Sequence, residues 1–269
     1  MATTIDKHQA RGNGRASAIL PGPFTSCTMR DADLKHVRRL PLFADMAPGH
    51  FDALIAGAFL QTFPPRLVLI REGERPDFLY IVVEGTVEAY GALGNRETAL
   101  AILRPYRTFI LAAVVRDEVY LTSARTLEAT RILMIPAGAV RSVFDQDAAF
   151  ARAVVGELAS RYRDLVRDIK GNKLRTSQER LANYILQLAP KGGAGKRSAT
   201  GNPVAALELP VEKRTLASYL GMAPEHLSRA FQNLAEHGVT VRGQTVTITD
   251  RAKLEALASP HPLIDERDV

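Results

Sequence analysis

The chain has 269 residues, of which 46% are hydrophobic and 24% charged, so it is long enough for two domains and unlike a disordered chain. No apolar run reaches the roughly 20 residues that cross a bilayer, and the N-terminus lacks the apolar core of a secretory signal. We therefore expect a cytoplasmic protein with no membrane contact. The formal net charge of +6 is uneven, with 21 basic against 19 acidic residues in 1–169 and 13 against 7 in 170–258. This excess favours a polyanionic partner for the C-terminal part.

The first half of the chain predicts an antiparallel β-domain. Residues 1–29 are rich in Gly, Ser, Thr and Pro without periodicity, which predicts a flexible tail. Two short helices are expected within 31–43 and 47–59. From residue 61, short segments rich in Val, Ile, Leu, Thr and Tyr recur about every ten residues between turns, which is typical of a barrel or sandwich. We assign residues 30–136 to this domain.

After Pro136 the apolar spacing becomes helical, and it predicts one long helix over 137–172. Spacings of four and three alternate along a narrow stripe that comprises Ala151, Val155, Leu158, Tyr162, Leu165, Ile169 and Asn172. One alternative is a helix that packs only on its own β-domain. The dense polar residues between the stripe positions favour a partner helix in a second subunit. We therefore predict a homodimer, with Val155, Leu158, Tyr162, Leu165 and Ile169 as its contacts.

The stretch "LASYLGMAPEHLSRAFQNL" (216–234) predicts two helices joined by a tight turn. Gly221 allows a left-handed conformation, Ala217 permits a close helix crossing, and Pro224 suits a first helical turn. The second helix presents polar side chains on one face, namely Glu225, His226, Ser228, Arg229 and Gln232. Such a face is typical of a recognition helix in the DNA major groove, although a helical hairpin in any globular domain is the plain alternative.

The flanking segments complete a predicted DNA-binding domain over 173–258. An amphipathic helix, with Ser177 as its expected cap, precedes a flexible loop at 191–206. The segment "GVTVRGQTVTITD" (238–250) predicts a hairpin with Gly243 near its turn, which is the wing of a winged helix-turn-helix. Residues 259–269 are predicted to form a C-terminal tail.

In the order of these parts, residues 34–258 resemble the CRP/FNR family of bacterial transcription regulators. The resemblance is carried by "LYIVVEGTVEAY", "RILMIP", "TLASYLGMAPEHLSRAF" and "HGVTVRGQTVTI". It implies an α+β fold with an N-terminal antiparallel β-roll sensor of the cyclic-nucleotide-binding type, a long dimerisation helix and a C-terminal winged helix-turn-helix. It also implies double-stranded DNA, a second copy of the chain and RNA polymerase as partners.

Residue roles follow from the same resemblance. Glu225, Ser228 and Arg229 match the set with which the FNR-like branch reads a TTGA-type half-site, and Lys213 falls on a phosphate-contacting position. Pro224 stands where the cyclic-AMP-type branch has an arginine that reads a further guanine. Ala223 replaces the usual Ser or Thr cap, which is expected to weaken the helix start by about 1 kcal/mol.

The sensor departs from the family's cyclic-nucleotide pattern. Leu111 and Ala112 lie near its Gly-Glu position, and Tyr120 or Leu121 stands where its phosphate-binding arginine belongs. We therefore expect no cyclic nucleotide to bind unless Arg116 or Arg125 compensates, because a buried phosphate without a cation is strongly disfavoured.

The sequence also restricts which other cofactors and functions are expected. A lone cysteine, Cys27, excludes an intrachain disulfide and an iron–sulfur cluster held by four thiolates. Haem stays open, with His36 and His50 as candidate ligands, as does a redox role for Cys27. A regulator that binds DNA constitutively is a further alternative. No catalytic triad order, HExxH motif or phosphate-cradling glycine loop indicates an enzyme.

Overall fold

A computed structural model describes residues 31–189 and 205–266 of the chain. The predicted tail at 1–29, Cys27 and most of the predicted loop at 191–206 lie outside these ranges. Within them, no helix is both long enough and apolar enough to span a membrane. The helices are α1 (Asp31–Arg38), α2 (Pro48–Ile55), α3 (Leu111–Arg116), α4 (Ala137–Gln146), α5 (Ala148–Leu174), α6 (Ser177–Leu188), α7 (Lys213–Tyr219), α8 (Pro224–Leu234), α9 (Arg251–Ala258) and α10 (Pro262–Asp265).

The strands form two antiparallel sheets in the N-terminal domain and one in the C-terminal domain. They are β1 (Phe59–Phe63), β2 (Val68–Ile70), β3 (Phe78–Glu84), β4 (Val87–Leu93), β5 (Arg96–Leu103), β6 (Thr108–Phe109), β7 (Ser123–Thr126), β8 (Thr130–Pro136), β9 (Ala205–Glu208), β10 (Val239–Arg242) and β11 (Thr245–Ile248). The sheet orders are β1-β8-β3-β6, β2-β7-β4-β5 and β10-β11-β9. The predicted α+β fold, with its β-roll and winged helix-turn-helix, is confirmed.

Strand β3 is a continuous apolar run because both of its faces are buried. Leu79, Ile81 and Val83 pack against the sensor helices, whereas Tyr80 and Val82 face the interior of the roll. Alternation of side chains along a strand produces this division. The same core includes residues of α3, a helix that the sequence analysis missed because its six residues lie within an apolar stretch.

The single helix predicted over 137–172 is wrong in one respect, since it is two helices that meet at Asp147. This residue has an extended backbone, and its Oδ1 accepts hydrogen bonds of 2.9 Å from the amides of Ala149 and Phe150. Its Oδ2 accepts from the Ala47 amide and lies 2.9 Å from His50 Nδ1. Asp147 therefore caps α5 and ties its start to the loop before α2.

The structure of the C-terminal half differs from the predicted one in three further details. The cap of α6 is Thr176 rather than Ser177, because Thr176 and Glu179 form a reciprocal capping box. Strand β9 begins inside the predicted loop, where pairing with β11 orders it. The predicted C-terminal tail contains α10, whose Asp265 forms a bidentate ion pair of 2.7 and 2.6 Å with Arg175, just after α5.

Two glycines with left-handed backbones shape the C-terminal domain. Gly221, at φ 63°, ends the turn after α7 as predicted, and a side-chain Cβ there would meet Asn172 Oδ1 only at 3.6 Å. Gly238, at φ 75°, lies before β10, and a Cβ there would fall 2.5 Å from Asp250 Cβ. Gly221 therefore requires only the backbone freedom of glycine, whereas Gly238 also requires its small size.

The first prediction concerns the acid sensitivity of the Asp147 cap. Hydrogen bonds from the Phe150 amide, His50 and the Ala47 amide hold the pKa of Asp147 well below its ordinary value of 3.8. A lowered folded-state pKa contributes stability that is complete above this ordinary value and is lost as pH falls through the folded pKa. At pH 6 the thermal unfolding midpoint of wild type should lie above that of Asp147→Asn. The difference between the two midpoints should narrow below about pH 4.

Asp145→Asn is the matched control, because Asp145 is exposed and two residues away. Its thermal midpoint should equal that of wild type at every pH. A gap between wild type and Asp147→Asn that stays constant from pH 6 to pH 3 contradicts the assignment.

The second prediction ranks the two glycines. Gly221→Ala should lower the free energy of unfolding by about 1 kcal/mol from backbone strain alone. Gly238→Ala should cost more than about 2 kcal/mol, because strain and overlap with Asp250 add. Gly49→Ala is the neutral control, since its surroundings are open. Urea unfolding measures all three, and equal losses at positions 221 and 238 would show that the steric argument is wrong.

Candidate nucleic-acid interface

Helices α7 and α8 are held together by the apolar residues that the sequence analysis placed inward. Leu216, Leu220, Met222, Leu227 and Phe231 are all buried in the core of the C-terminal domain. The Met222 amide donates to the carbonyl of Ala217 at 2.9 Å, which closes the turn through Gly221. The hairpin is therefore rigidly positioned, and the outward face of α8 is fixed with it.

The outward face of α8 carries the predicted polar set. Its members are all exposed, namely Glu225, His226, Ser228, Arg229 and Gln232. Pro224 lies in the first turn, and Ala223 supplies no side-chain cap, as expected. The Ser228 hydroxyl donates to the Pro224 carbonyl at 3.1 Å. The side chains that reach outward from one helical surface thus include a cation, an anion, an amide and a hydroxyl.

Lys213 begins α7 and is exposed beside this face. Its Nζ lies 5.5 Å from the centroid of the Phe231 ring, which joins the start of α7 to α8. The preceding residue, Glu212, pairs with Arg66 of the sensor at 3.2 Å. The wing is the hairpin β10–β11, with Gly243 in its turn at φ 61°, as predicted. The winged helix-turn-helix is therefore complete around an exposed polar helix.

The predicted stripe on α5 divides between two environments. Val155, Tyr162, Leu165 and Ile169 are each 58 to 69% exposed, an unusual exposure for apolar side chains. Leu158 instead packs against the sensor core. One side of α5 thus packs against its own domain, and the other side presents an exposed apolar strip. The spacing of apolar residues in the sequence did not distinguish these two sides.

Aromatic side chains occupy the interior of the roll. The rings of Tyr80 and Phe109 stack with centroids 5.2 Å apart, and Tyr120 is buried in the same cluster. Burial, followed by the charge of Asp77, raises the pKa of Tyr80 to about 12, and burial also raises the pKa of Tyr120. Both hydroxyls are therefore neutral near pH 7 and offer no charge to an anion. Leu121, the other residue near the family's arginine position, is exposed.

The two arginines considered as replacements are paired elsewhere. Arg116 is exposed and lies 3.1 Å from Glu118. Arg125 donates hydrogen bonds to Glu88 at 2.7 Å and to Glu97 at 2.9 Å. The side chain of the preceding residue, Ala124, faces the roll interior. Arg125 therefore projects from the outer face of its sheet.

The two candidate haem ligands lie apart from the roll interior. The His36 ring contacts Tyr106, and His50 bonds Asp147. Among the residues that the structure describes, no three His, Cys, Asp or Glu side chains are grouped to hold a metal ion.

One contact between the domains had no signal in the sequence. The amide of Ala99 in β5 donates to the Ser218 hydroxyl in α7 at 2.8 Å. Next to it lies a cleft of about 1510 Å³. The two residues are 119 positions apart, so no local sequence pattern predicts the contact.

Two protein-family models match this chain, one in its N-terminal domain and one in its C-terminal domain. A cyclic nucleotide-binding domain model matches residues 60–147, and a Crp-like helix-turn-helix domain model matches residues 179–257. The transcriptional activator protein anr of Pseudomonas aeruginosa is 23% identical over 191 residues, 71% of this chain and 76% of that protein. The CRP-like cAMP-activated global transcriptional regulator of Mycobacterium tuberculosis is 24% identical over 218 residues, 80% and 95% of the two chains.

A solved structure shows the same fold over most of the chain. FixK2 from Bradyrhizobium japonicum superposes with a TM-score of 0.64 at 20% identity, covering 76% of this chain and 98% of that one. The superposition extends over the β-roll, the long helix and the winged helix-turn-helix, so the two chains share this fold. The chain belongs to the CRP/FNR family of transcription regulators.

Proposed function

We propose that the protein is a sequence-specific DNA-binding regulator that acts as a homodimer on a palindrome of TTGA-like half-sites. The observation that carries this proposal is the exposed polar face of α8, which a buried hairpin holds rigid beside a wing. Arg229 is suited to bridge O6 and N7 of a guanine, and Glu225 to accept from a cytosine amino group. Ser228 completes the FNR-like set, and His226 and Gln232 flank it.

The exposed apolar strip of α5 supports the homodimer. Tyr162, Leu165 and Ile169 lie on one side of a 27-residue helix, and burial against the same strip of a second copy removes them from water. Two recognition helices related by a two-fold axis would then meet half-sites whose centres lie roughly 34–36 Å apart.

The signal that acts on the sensor is proposed not to be a cyclic nucleotide. A cyclic phosphate in the roll needs a cation, and the family's arginine position holds the buried, neutral Tyr120 or the exposed Leu121. We expect calorimetry with cyclic AMP or cyclic GMP to show no saturable binding at micromolar concentrations. Such binding would mean that the roll opens and that Arg116 or Arg125 is rearranged.

A DNA-binding experiment tests the assigned roles. Arg229→Ala should weaken binding to a TTGA palindrome by about 1–3 kcal/mol per lost bidentate contact, while non-specific binding stays largely intact. Lys213→Ala should weaken all sequences alike and flatten the salt dependence by about one unit. Fluorescence anisotropy over a salt series separates the two outcomes. If Arg229→Ala weakens all sequences equally, its role as a base reader is wrong.

A selection from random duplexes tests the register of α8. Pro224→Arg places a side chain where the cyclic-AMP-type branch reads an additional guanine, so its selected half-site should move from TTGA toward TGTGA. Pro224→Ala is the matched control, and it should select the wild-type half-site. Identical selections by wild type and Pro224→Arg would mean that the residue roles on α8 are displaced.

Light scattering tests the dimer. Leu165→Asp combined with Ile169→Asp should give monomers, because charge is placed in the proposed seam without disturbing the sensor core. Leu158 is avoided because it packs against that core. Lys173→Asp, an exposed change on the same helix, is the control and should stay dimeric. A wild-type protein that is monomeric at micromolar concentration contradicts the proposal.

A further inference from the structure

The junction between α5 and α6 is the covalent link between the long helix and the DNA-binding domain. Only Arg175 and Thr176 separate the two helices, and both residues have extended backbones. Each residue has two soft backbone dihedrals, so the junction by itself leaves the angle between α5 and α6 adjustable. Contacts outside the junction must therefore determine how the DNA-binding domain is oriented on α5.

The chain returns to this junction near its C-terminal end. Helix α9 lies on α6, where Asn183 Nδ2 donates to the Ala258 carbonyl at 2.6 Å. Ser259 then takes a left-handed backbone at φ 44°, and Pro260 and Pro262 restrict the turn that follows. Helix α10 begins at this turn and lies against α5. The C-terminal half of the chain is thereby attached to α5 at a second place.

The contact of α10 with α5 is centred on one ion pair. Arg175 donates to both carboxylate oxygens of Asp265, at 2.7 and 2.6 Å, and the two side chains are only 10% and 12% exposed. The His261 amide donates to the same carboxylate at 2.6 Å. Ile264 Cγ2 is 4.0 Å from the position that a Cβ on Gly171 would take, one helical turn before the arginine. A bidentate pair fixes direction as well as distance, so the orientation of α10 on α5 is defined.

A second arginine connects the junction to the helix-turn-helix. Arg180, in the first turn of α6, donates to the Arg175 carbonyl at 2.7 Å and to the Leu220 carbonyl at 2.9 Å. Leu220 directly follows α7. A continuous series of hydrogen bonds thus runs from α10, through both arginines, to the turn that precedes α8. We call α10 together with the Arg175–Asp265 pair the C-terminal strut.

The C-terminal strut leaves the exposed apolar strip of α5 free. Successive residues of an α-helix are about 100° apart, so Gly171, which faces α10, lies roughly 200° around the helix from Ile169. Ile169 belongs to the exposed strip. A second copy of the chain can therefore pack on the strip while the strut stays in place on the other side of α5.

The angle between α5 and the DNA-binding domain determines how far apart two recognition helices lie in a dimer. The α5 helices lie at the two-fold axis of the proposed dimer, and each α8 helix is carried at the end of its own DNA-binding domain. One additional base pair between half-sites moves them apart by about 3.4 Å and turns them by roughly 35° around the duplex. A dimer with a fixed angle matches one spacing, whereas a dimer whose domains pivot matches several.

We propose that the C-terminal strut sets the half-site spacing that the dimer reads, with Asp265 as its positioning residue. The inference rests on the proposed DNA-binding function and adds a specificity that the side chains facing the bases do not supply. Asp265 acts through Arg175 on the direction of the whole domain. Its loss should therefore change which spacings are accepted, while each half-site is still read by α8.

Competition anisotropy with a series of palindromes tests the C-terminal strut. Each duplex carries the same two TTGA half-sites, with their centres separated by about 9 to 12 base pairs. Wild type should bind one spacing at least about tenfold more tightly than a spacing one base pair longer or shorter. Asp265→Asn should lower this ratio below about threefold, because the bidentate charged pair is lost.

Glu255→Gln is the matched control. It breaks an ion pair of 2.7 Å with Arg251 in the same domain, but this pair is exposed on α9 and does not reach α5. The control should keep the wild-type ratio. A ratio that Asp265→Asn leaves unchanged, or an affinity that it lowers equally at every spacing, overturns the positioning role.

A chain that ends at Ser259 is the second variant. Asp265→Asn leaves a largely buried guanidinium without its counter-charge, which lowers stability. In the shortened chain α10 is absent and Arg175 is exposed to water, so this cost does not arise. The shortened chain should show the same reduced ratio between spacings. A wild-type ratio in the shortened chain also overturns the proposal.

The separation of the two recognition helices can be measured without DNA. In a Cys27→Ser background, a spin label on Gln232→Cys, at an exposed position of α8, reports the distance between the two copies. The distance distribution should be narrow in this protein and broader once Asp265→Asn is added. Equal widths in a dimer that binds the palindromes overturn the C-terminal strut alone. If no distance between copies is found and no palindrome is bound, the proposed homodimer itself is wrong, and the spacing role falls with it.

Discussion

The carboxylate of Asp147 is the interaction on which the arrangement of the protein depends. Its two oxygens accept hydrogen bonds from the first amides of α5 and from the loop before α2, so the helix starts at a fixed point on the sensor. A negative charge at this end also complements the helix dipole. Since α5 carries the apolar strip and leads to the C-terminal domain, its direction determines where both lie.

The far end of α5 is fixed by a second ionic contact. Arg175, which follows α5 without joining α6, forms a bidentate pair with Asp265, and both side chains are largely buried. Arg175 donates to both oxygens of Asp265 and lowers its pKa, against the opposing effect of partial burial. Helix α10 also lies against α5, where Ile264 Cγ2 is 4.0 Å from the position that a Cβ on Gly171 would take. The C-terminal segment thus restrains the junction through which any movement of the DNA-binding domain would have to pass.

Aromatic side chains lie in the interior of the β-roll. Tyr80, Phe109 and Tyr120 are buried there, and the rings of Tyr80 and Phe109 stack with their centroids 5.2 Å apart. The outward-facing Arg125 is held by two glutamates on the side of the interdomain cleft.

The sequence by itself determined the elements that depend on residues close together in the chain. Gly221 and Pro224 mark the turn, the spacing of apolar residues gives the buried side of α7 and α8, and alternating strands predict the roll. Only the tertiary structure decided features that depend on distant partners. The break at Asp147 requires Ala47 and His50, β9 requires β11, and Leu158 is separated from the exposed strip by the sensor core. The bond from Ala99 to Ser218 is the clearest case, because an alanine amide carries no side-chain signal, and only the packing of α7 on an edge strand gives it a partner.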